Sequence, residues 1–251
     1  MEGGIVKERP ILYSGSMVCA VLDGRKTATR RFTKLHAHYG LNAFLGMDGD
    51  LARFSAMDDT RNFTTVLRCP YGRPGDRLWV REAWSDVNLM GAPGIAYRAD
   101  GDVRDLMDEA SFLDEHGAFN YEDRRCKPYH FACWSEDLLA GTEGRWRPSI
   151  HMPRWVSRIL LEITVVRVER LQDGDGETAF ESRYLAEGIN RIHHGDGEYY
   201  YSAFRNEPHP QNWCDPFDAW RELWVSINGI DSWNANPWVW VVEFKRVEQS
   251  A

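Results

Sequence analysis

The chain has 251 residues, and its composition of 43% hydrophobic and 27% charged residues excludes a disordered protein. Its formal net charge of −8 argues against a broad electrostatic contact with a nucleic-acid duplex. No apolar run approaches the roughly 20 residues that a membrane-spanning helix needs, so no membrane partner is expected. The first residues show neither the basic nor the apolar region of a secretory signal, and five scattered cysteines do not suggest a disulfide framework. These features predict a cytoplasmic protein.

The N-terminal half is predicted to form one short helix and three strands. Ser14 or Ser16 can cap the start of the helix, and Gly24 suits the left-handed conformation at its end. A turn signal at Pro74-Gly75-Asp76 precedes the second strand. The predicted elements are a helix over Ile11–Gly24 and strands over Arg25–Arg31, Arg77–Arg81 and Ile95–Arg98.

The C-terminal half is predicted to contain a strand, two helices and a closing strand. The first strand alternates apolar and polar residues, whereas the closing strand has a continuous apolar run that implies burial on both faces. These elements cover Ile159–Glu169, Thr178–Gly188, Phe217–Ile227 and Trp238–Val247. The complete order of elements predicts an α+β fold built on a small barrel.

Two segments are predicted to be long insertions into a single domain that covers residues 1–251. The first, at about 85–145, includes an acidic stretch with little regular pattern. The second, at 190–216, is rich in Gly, His, Tyr and Pro, which is typical of a loop.

The densest group of chemically active side chains lies between Gly24 and Arg31. The turn glycine is followed by Lys26, by the hydroxyls of Thr27 and Thr29, and by arginines. These donors can converge on a small ligand that carries a carbonyl or an anionic group. The alternative is a solvated edge strand, because edge strands commonly carry lysine and arginine. The residue types alone leave both interpretations open.

Four sequence features resemble the ASCH domain of the PUA-like superfamily. They are Gly24-Arg25-Lys26-Thr27-x-Thr29-x-Arg31, Pro74-Gly75-Asp76, Ala186-Glu187-Gly188 and the closing Val-Glu-Phe-Lys strand. Longer strings resemble the ASCH-like proteins of bacteriophages and prophages, namely 9–14, 75–82, 146–155 and 236–240. The resemblance implies a PUA-like small β-barrel with flanking helices and, if the chain is phage-encoded, a location in the host cytoplasm.

The resemblance also implies a set of catalytic residues. The superfamily contains RNA-binding modules, a proposed ribonuclease and a small amidohydrolase that acts on N4-acetylcytidine. In the amidohydrolases a lysine and a threonine of the G-x-K-x-x-T stretch act with a later glutamate. These positions fall here on Lys26, Thr29 and Glu187. Those hydrolases are little more than the bare domain, whereas this chain has two long insertions.

Amide hydrolysis needs a nucleophile, a proton acceptor and a group that stabilises the oxyanion. Thr29 Oγ is a weak nucleophile until a base removes its proton. Lys26 can act as that base only when neutral, and repulsion from the neighbouring arginines is expected to lower its pKa. Glu187 would shuttle a proton or orient water. We expect one cleft to expose all three side chains, with Lys26 reaching in from the turn because strand alternation places it opposite Thr29.

Further side chains are predicted to bind the substrate around this set. Arg31 is a candidate for holding a carbonyl or phosphate group, and a salt bridge is its alternative role. Trp79, Trp84 and Trp155 can stack on a base, and core packing is the alternative for each. The substrate-binding prediction consists of Arg25, Arg31, Trp79, Arg81, Ser149, His151 and Trp155.

A weaker pattern concerns a metal. Cys126-x-x-x-His130-x-x-Cys133, with Cys69 as a fourth ligand, offers the thiolates and imidazole that zinc prefers. The spacing is not that of a standard zinc knuckle, and buried cysteines are the alternative. The function is therefore predicted without a metal or another cofactor.

The sequence thus predicts a hydrolase that removes an acyl group from a modified cytidine of the N4-acetylcytidine type. Its partner would be a modified nucleoside or a single-stranded nucleic acid. The alternatives are a noncatalytic module that binds RNA or modified nucleic acid, and a ribonuclease.

Overall fold

The computed structural model describes residues 6–33, 40–57, 62–173, 181–195 and 197–247. Within these ranges the protein is α+β, with strands in the majority. The strands are β1 (Glu8–Leu12), β2 (Ala28–Phe32), β3 (Gly40–Asp48), β4 (Leu51–Met57), β5 (Asn62–Arg68), β6 (Arg77–Arg81), β7 (Trp84–Leu89), β8 (Ala92–Tyr97), β9 (Val103–Asp105), β10 (Leu160–Arg170), β11 (Asn190–His193), β12 (Tyr199–Ser202) and β13 (Trp238–Val247). The α-helices are α1 (Gly15–Leu22), α2 (Ser135–Ala140), α3 (Glu181–Leu185), α4 (Pro216–Asn228) and α5 (Ile230–Asn234).

The chain divides into two compact units. The first comprises Met1–Arg9, Ala20–Leu78 and Leu160–Ala251, and the second comprises Pro10–Cys19 and Trp79–Ile159. A single domain over residues 1–251 stays a prediction.

The five-stranded sheet has the strand order β1-β6-β10-β13-β2. Strand β13 lies between β10 and β2 and runs antiparallel to both, with Trp240 opposite Val168 and Val242 opposite Thr29. Residues 239–242 are all buried, so both faces of β13 are covered. The predicted central, doubly buried position of the closing strand is confirmed.

The edge strands of this sheet are β1 and β2, and the structure describes no pairing between them. In the described part of the chain, the strands therefore do not close into a barrel. The structure therefore confirms the predicted α+β class, without the barrel.

Helix α4 illustrates how local sequence fixes an element. The Asp215 side chain accepts a hydrogen bond from the Phe217 backbone N–H at 2.8 Å, and Pro216 occupies the first helical position. The helix ends at Gly229, whose φ is +82°. Its buried face includes Trp224, whose ring lies 5.0 Å from that of Phe32 on β2. Among the described residues, no helix is long and apolar enough to cross a membrane.

Several predicted boundaries differ from those of the structure. The first helix begins at Gly15 rather than Ile11, because the preceding residues extend β1. Gly24 has the predicted positive φ, at +74°. Strand β2 begins at Ala28 rather than Arg25. Helix α3 covers only Glu181–Leu185, and the start predicted for it at Thr178 lies outside the described residues.

Two sheets of the first unit were not predicted from the sequence. Strands β3, β4 and β5 form an antiparallel meander in the order β3-β4-β5. Strands β11 and β12 form a hairpin inside the segment predicted as the second insertion. That segment is therefore partly a regular sheet.

The second unit contains the antiparallel sheet β7-β8-β9. Trp84 and Tyr97 are fully buried, and the Tyr97 hydroxyl donates to the Val156 carbonyl oxygen at 2.7 Å. Residues from the acidic segment, including Phe112 and Phe131, join the same aromatic core. The segment predicted as the first insertion is thus the framework of this unit.

Candidate functional site

The site is centred on the ammonium group of Lys26, whose side chain is fully buried. Its Nζ donates to the carbonyl oxygens of Ala28 and Glu187, both at 2.8 Å. The same atom lies 3.1 Å from Oε2 of Glu187. The structure therefore brings together Lys26 and Glu187, two of the three predicted catalytic residues.

Backbone bonds position this pair. The Lys26 N–H donates to the Ala20 carbonyl oxygen at 2.8 Å, which fixes the turn between α1 and β2. The N–H groups of Thr27 and Ala28 both donate to the Ala186 carbonyl oxygen at 2.9 Å. The turn that carries Glu187 is thereby attached to the start of β2.

Glu187 also belongs to a buried network of charges. Its Oε1 accepts from Arg30 Nη1 at 2.8 Å, and Arg30 Nε donates to Glu169 Oε1 at the same distance. The Arg30 guanidinium lies over the Trp220 ring, 5.2 Å from its centroid. Arg183 binds the same Glu169 oxygen. In a poorly solvated site, charge-assisted hydrogen bonds are strong, but they stabilise the protein only when each charged group has a partner. Each charged group named here has one.

The network extends to the protein surface. Arg167 Nε lies 3.4 Å from Oε2 of Glu169, and its Nη1 forms a short contact with Oε1 of Glu243. The side chains of Arg167 and Glu243 are 37% and 38% exposed. The ion pairs therefore lead from the buried Lys26 outward to solvent.

The predicted lowering of the Lys26 pKa is confirmed in direction. Burial is the main cause, attraction by Glu187 opposes it, and repulsion from Arg31 and Arg30 adds to the lowering. The repulsion from the arginines that the sequence argument invoked is therefore present, but burial, which that argument did not consider, has the larger effect on the pKa.

Glu187 is a carboxylate in this site. Burial alone would raise its pKa, but attraction and hydrogen bonds from Lys26 and Arg30 outweigh that effect and lower the pKa. Three acceptors of the described residues lie around Lys26 Nζ, which suits the three protons of an ammonium group. To act as a base, Lys26 must release one of these protons.

A cleft of about 470 Å³ adjoins the network. Its lining consists of Thr27, Ala28, Arg30, Arg167, Glu169, Arg183, Ala186 and Glu243. Thr27 is exposed, whereas Thr29 is only 2% exposed. Lys26 and Glu187 are buried as well, so the expectation that a cleft exposes all three catalytic candidates is wrong. The reason is that their charges are satisfied within the protein.

The predicted substrate-binding residues fall into two groups. In the first unit, Arg25 pairs with Asp23 and donates to the Gly188 carbonyl oxygen at 3.2 Å, and Arg31 is half-buried on β2. The remaining ones, Trp79, Arg81, Ser149, His151 and Trp155, belong to the second unit.

In the second unit, the tryptophans serve mainly in packing. Trp79 is buried, with the Arg81 guanidinium 4.6 Å from its ring centroid. Trp84 is fully buried, and Trp155 packs against Phe112 with ring centroids 5.4 Å apart. Core packing is thus the role that the structure gives Trp84 and Trp155. Ser149 and His151 lie on a short 3-10 helix, Ser149–His151.

The structure does not assemble a metal site from the predicted ligands. No group of three or more His, Cys, Asp or Glu side chains is suitably placed for a metal ion in the described part of the chain. Cys126 lies in the aromatic core, where burial raises its pKa to about 11. Burial raises the pKa of Cys69 to about 11 as well. Both thiols stay protonated near neutral pH, which disfavours metal binding.

Sequence reasoning missed the residues that connect the catalytic candidates to the cleft. These are Arg30, Arg167, Glu169, Arg183 and Glu243. Arg30 was within the singled-out basic stretch, but no sequence spacing relates it to Glu169, 139 positions away.

Comparison with known proteins found no match to this chain among protein-family models, curated proteins or solved structures.

Proposed function

We propose that this protein is an ASCH-type, PUA-like amidohydrolase that removes an acyl group from a modified cytidine of the N4-acetylcytidine type. The observation that carries the proposal is the contact between Lys26 and Glu187, which brings together two residues implied by the motif resemblance. The third, Thr29, lies three positions after Lys26 on β2. A buried lysine paired with a carboxylate beside a cleft is a plausible arrangement for acid–base chemistry.

In the proposed reaction, the buried Thr29 must first be uncovered to the substrate, and its Oγ then attacks the acyl carbonyl while Lys26, in its neutral form, accepts the hydroxyl proton. The carbon–nitrogen bond then breaks, and the proton passes to the N4 amine of the departing cytidine. A water molecule next attacks the acyl-threonine ester, releasing the carboxylic acid and restoring the hydroxyl. Glu187 positions the Lys26 amine and stabilises its protonated form.

The cleft provides the proposed entry for the acyl group. Lys26 Nζ lies 2.8 Å from the carbonyl oxygen of Ala28, which lines the cleft. The lysine is therefore in direct contact with a residue of the cleft lining. The lowered Lys26 pKa supports the proposal, because it reduces the free energy that is needed to form the neutral amine.

A noncatalytic module that binds modified nucleic acid is the second candidate. It is favoured by the three acceptors that saturate Lys26 Nζ and by the burial of Thr29. In that case, the buried charges would serve only to hold β2 against the turn at Glu187. The two candidate functions differ because only the hydrolase converts a substrate into products.

The test incubates the purified protein with N4-acylated cytidines and short RNAs and identifies the products by mass. The hydrolase should release the carboxylic acid from an N4-acylcytidine. Thr29→Ala should abolish the hydrolysis, because it removes the nucleophile. Lys26→Arg should also be inactive, because a guanidinium does not lose its proton near neutral pH.

Thr64→Ala is the matched control, since it removes an exposed hydroxyl from β5, outside the cleft lining. It should retain most of the activity. Loss of activity in Thr27→Ala with retention in Thr29→Ala would refute the assignment of the nucleophile. Absence of turnover on every acylated cytidine would favour the binding module, and cleaved RNA would indicate a ribonuclease.

A further inference from the structure

The cleft beside the proposed catalytic residues has a wall of three arginines. Arg30, Arg167 and Arg183 all line it, and all three contact the carboxylate of Glu169. A second lining carboxylate, Glu243, contacts Arg167. One carboxylate is therefore shared by three guanidinium groups.

The described lining of the cleft carries more positive than negative side chains. Its cations are Arg30, Arg167 and Arg183, and its anions are Glu169 and Glu243. A cleft lined in this way attracts an anionic ligand.

Arg167 is the arginine best placed to meet such an anion. Its guanidinium has five N–H donors, and its contacts with Glu169 and Glu243 use one at Nε and one at Nη1. Its side chain is 37% exposed, whereas that of Arg30 is only 2% exposed. Arg183, at 16%, lies between these extremes. A guanidinium binds phosphate through paired N–H donors, which fits this position.

The size of the cleft agrees with a small organic ligand. Pockets for such ligands typically measure about 300–1,000 Å³, and this cleft measures about 470 Å³. The exposed Thr27 adds a hydroxyl to the lining of the cleft. A ligand with a phosphate at Arg167 and an uncharged portion near Thr27 would occupy the cleft.

We infer that the cleft binds the phosphate group of a cytidine nucleotide through Arg167, with Arg183 beside it. This inference rests on the proposed function and makes its substrate phosphorylated, either a free nucleotide or a residue within RNA, rather than a nucleoside. Arg167 is then a specificity-determining residue.

The test measures binding by isothermal titration, so it does not depend on turnover. Cytidine 5′-monophosphate should bind at least about tenfold more tightly than cytidine, because a hydrogen bond to a charged group contributes about 1.5–3 kcal/mol. Inorganic phosphate should compete with the nucleotide. A short oligocytidylate without terminal phosphates tests whether the phosphodiester of RNA is accepted as well as the free nucleotide.

Two substitutions with opposite expected effects identify the site. Arg167→Gln should weaken binding of cytidine 5′-monophosphate by about tenfold or more and leave cytidine binding unchanged. Glu243→Gln should tighten nucleotide binding by about two- to fivefold, because it removes a competing carboxylate from Arg167. The matched control is Arg68→Gln, which removes an arginine with a 68% exposed side chain outside the cleft lining and should change neither affinity.

The phosphate-binding inference and the proposed hydrolase function can be refuted by different results. Equal affinities for nucleotide and nucleoside, or no binding of either, would overturn the phosphate site even if N4-acetylcytidine were hydrolysed. An unchanged nucleotide affinity in both Arg167→Gln and Glu243→Gln would also overturn it. Tight, Arg167-dependent nucleotide binding without turnover of any acylated cytidine would support the phosphate site and refute the hydrolase.

Discussion

Lys26 and Glu187, 161 positions apart, form a buried ion pair with Nζ 3.1 Å from Oε2. Removing two charges from water costs several kcal/mol for each ion, and apolar side chains of similar size often give equal or greater stability. Stability alone therefore does not explain why charges occupy this position.

Lys26→Met should destabilise the protein strongly, because it leaves Glu187 with Arg30 as its remaining described cationic partner. Removing one member of a buried pair costs about 3–5 kcal/mol. Urea unfolding measures the effect. Lys245→Met is the control, since Lys245 is 63% exposed and pairs with Glu162 at 2.9 Å, and it should cost less than about 1 kcal/mol. Equal urea midpoints for the two variants would show that the buried ion pair contributes no more to stability than the exposed one.

The stability of the protein should fall in acid. Because the folded-state pKa of Glu187 is below its ordinary value of 4.5, the native state binds fewer protons than the unfolded state in that interval. The contribution is complete above pH 4.5 and is lost as the pH falls through the folded-state pKa. Glu187→Gln should be less stable at neutral pH and should lose less stability on acidification. Urea unfolding at several pH values measures both effects, and a wild-type slope in Glu187→Gln would contradict the prediction.

Gly188→Ala should disturb the site more than an ordinary glycine substitution. Gly188 has φ at +96°, and an added Cβ would lie 3.0 Å from Ala20 Cβ and 3.6 Å from Lys26 Cβ. Gly195, with φ at +88° and nothing within 4 Å, isolates the backbone strain. Gly195→Ala should cost roughly 1–2 kcal/mol, and Gly188→Ala should cost about 1 kcal/mol more through overpacking. Thermal and urea unfolding of both variants check this, and equal costs would refute the packing argument.

Asp76→Ala should destabilise the turn that precedes β6. The Asp76 carboxylate accepts from Arg9 Nη1 at 2.9 Å and from the backbone N–H groups of Lys7 and Arg73 at 3.2 and 3.3 Å. Loss of these charge-assisted bonds should cost about 2–3 kcal/mol in urea unfolding. Asp23→Ala removes a carboxylate that is 55% exposed and should change stability by less than about 0.5 kcal/mol. A similarly small effect in Asp76→Ala would mean that the turn forms without its side-chain bonds.

The sequence predicted those elements whose pattern is local and strong. β6 and β13 have the predicted bounds, since an apolar run of β-branched and aromatic residues is bounded by turn residues. α4 differs from its prediction by one residue at each end because a cap, a first-turn proline and a terminal glycine are all present. The β3-β4-β5 meander was missed, since β5 alternates between half-buried and exposed positions and leaves a weak pattern.

The candidate site was predictable only in part. The motif resemblance pointed to Lys26 and Glu187, and the structure joins them. Their burial was not predictable, because it depends on Arg30 meeting Glu169 and Glu187 at separations of 139 and 157 positions. No periodicity within one segment carries information about such long-range charge pairing. The acidic segment was misjudged for a similar reason, since Phe112 and Phe131 reveal their shared core only after folding.

The carbonyl oxygen of Ala186 accepts two main-chain N–H groups, those of Thr27 and Ala28. These bonds involve no side-chain atom, so part of the attachment of β2 to the turn at Glu187 remains when the side chains of the site are changed. The main chain alone could therefore keep positions 26 and 187 near each other while the chemically active residues there are exchanged over evolutionary time. Protein engineers could use this property to install a different pair of functional groups at positions 26 and 187.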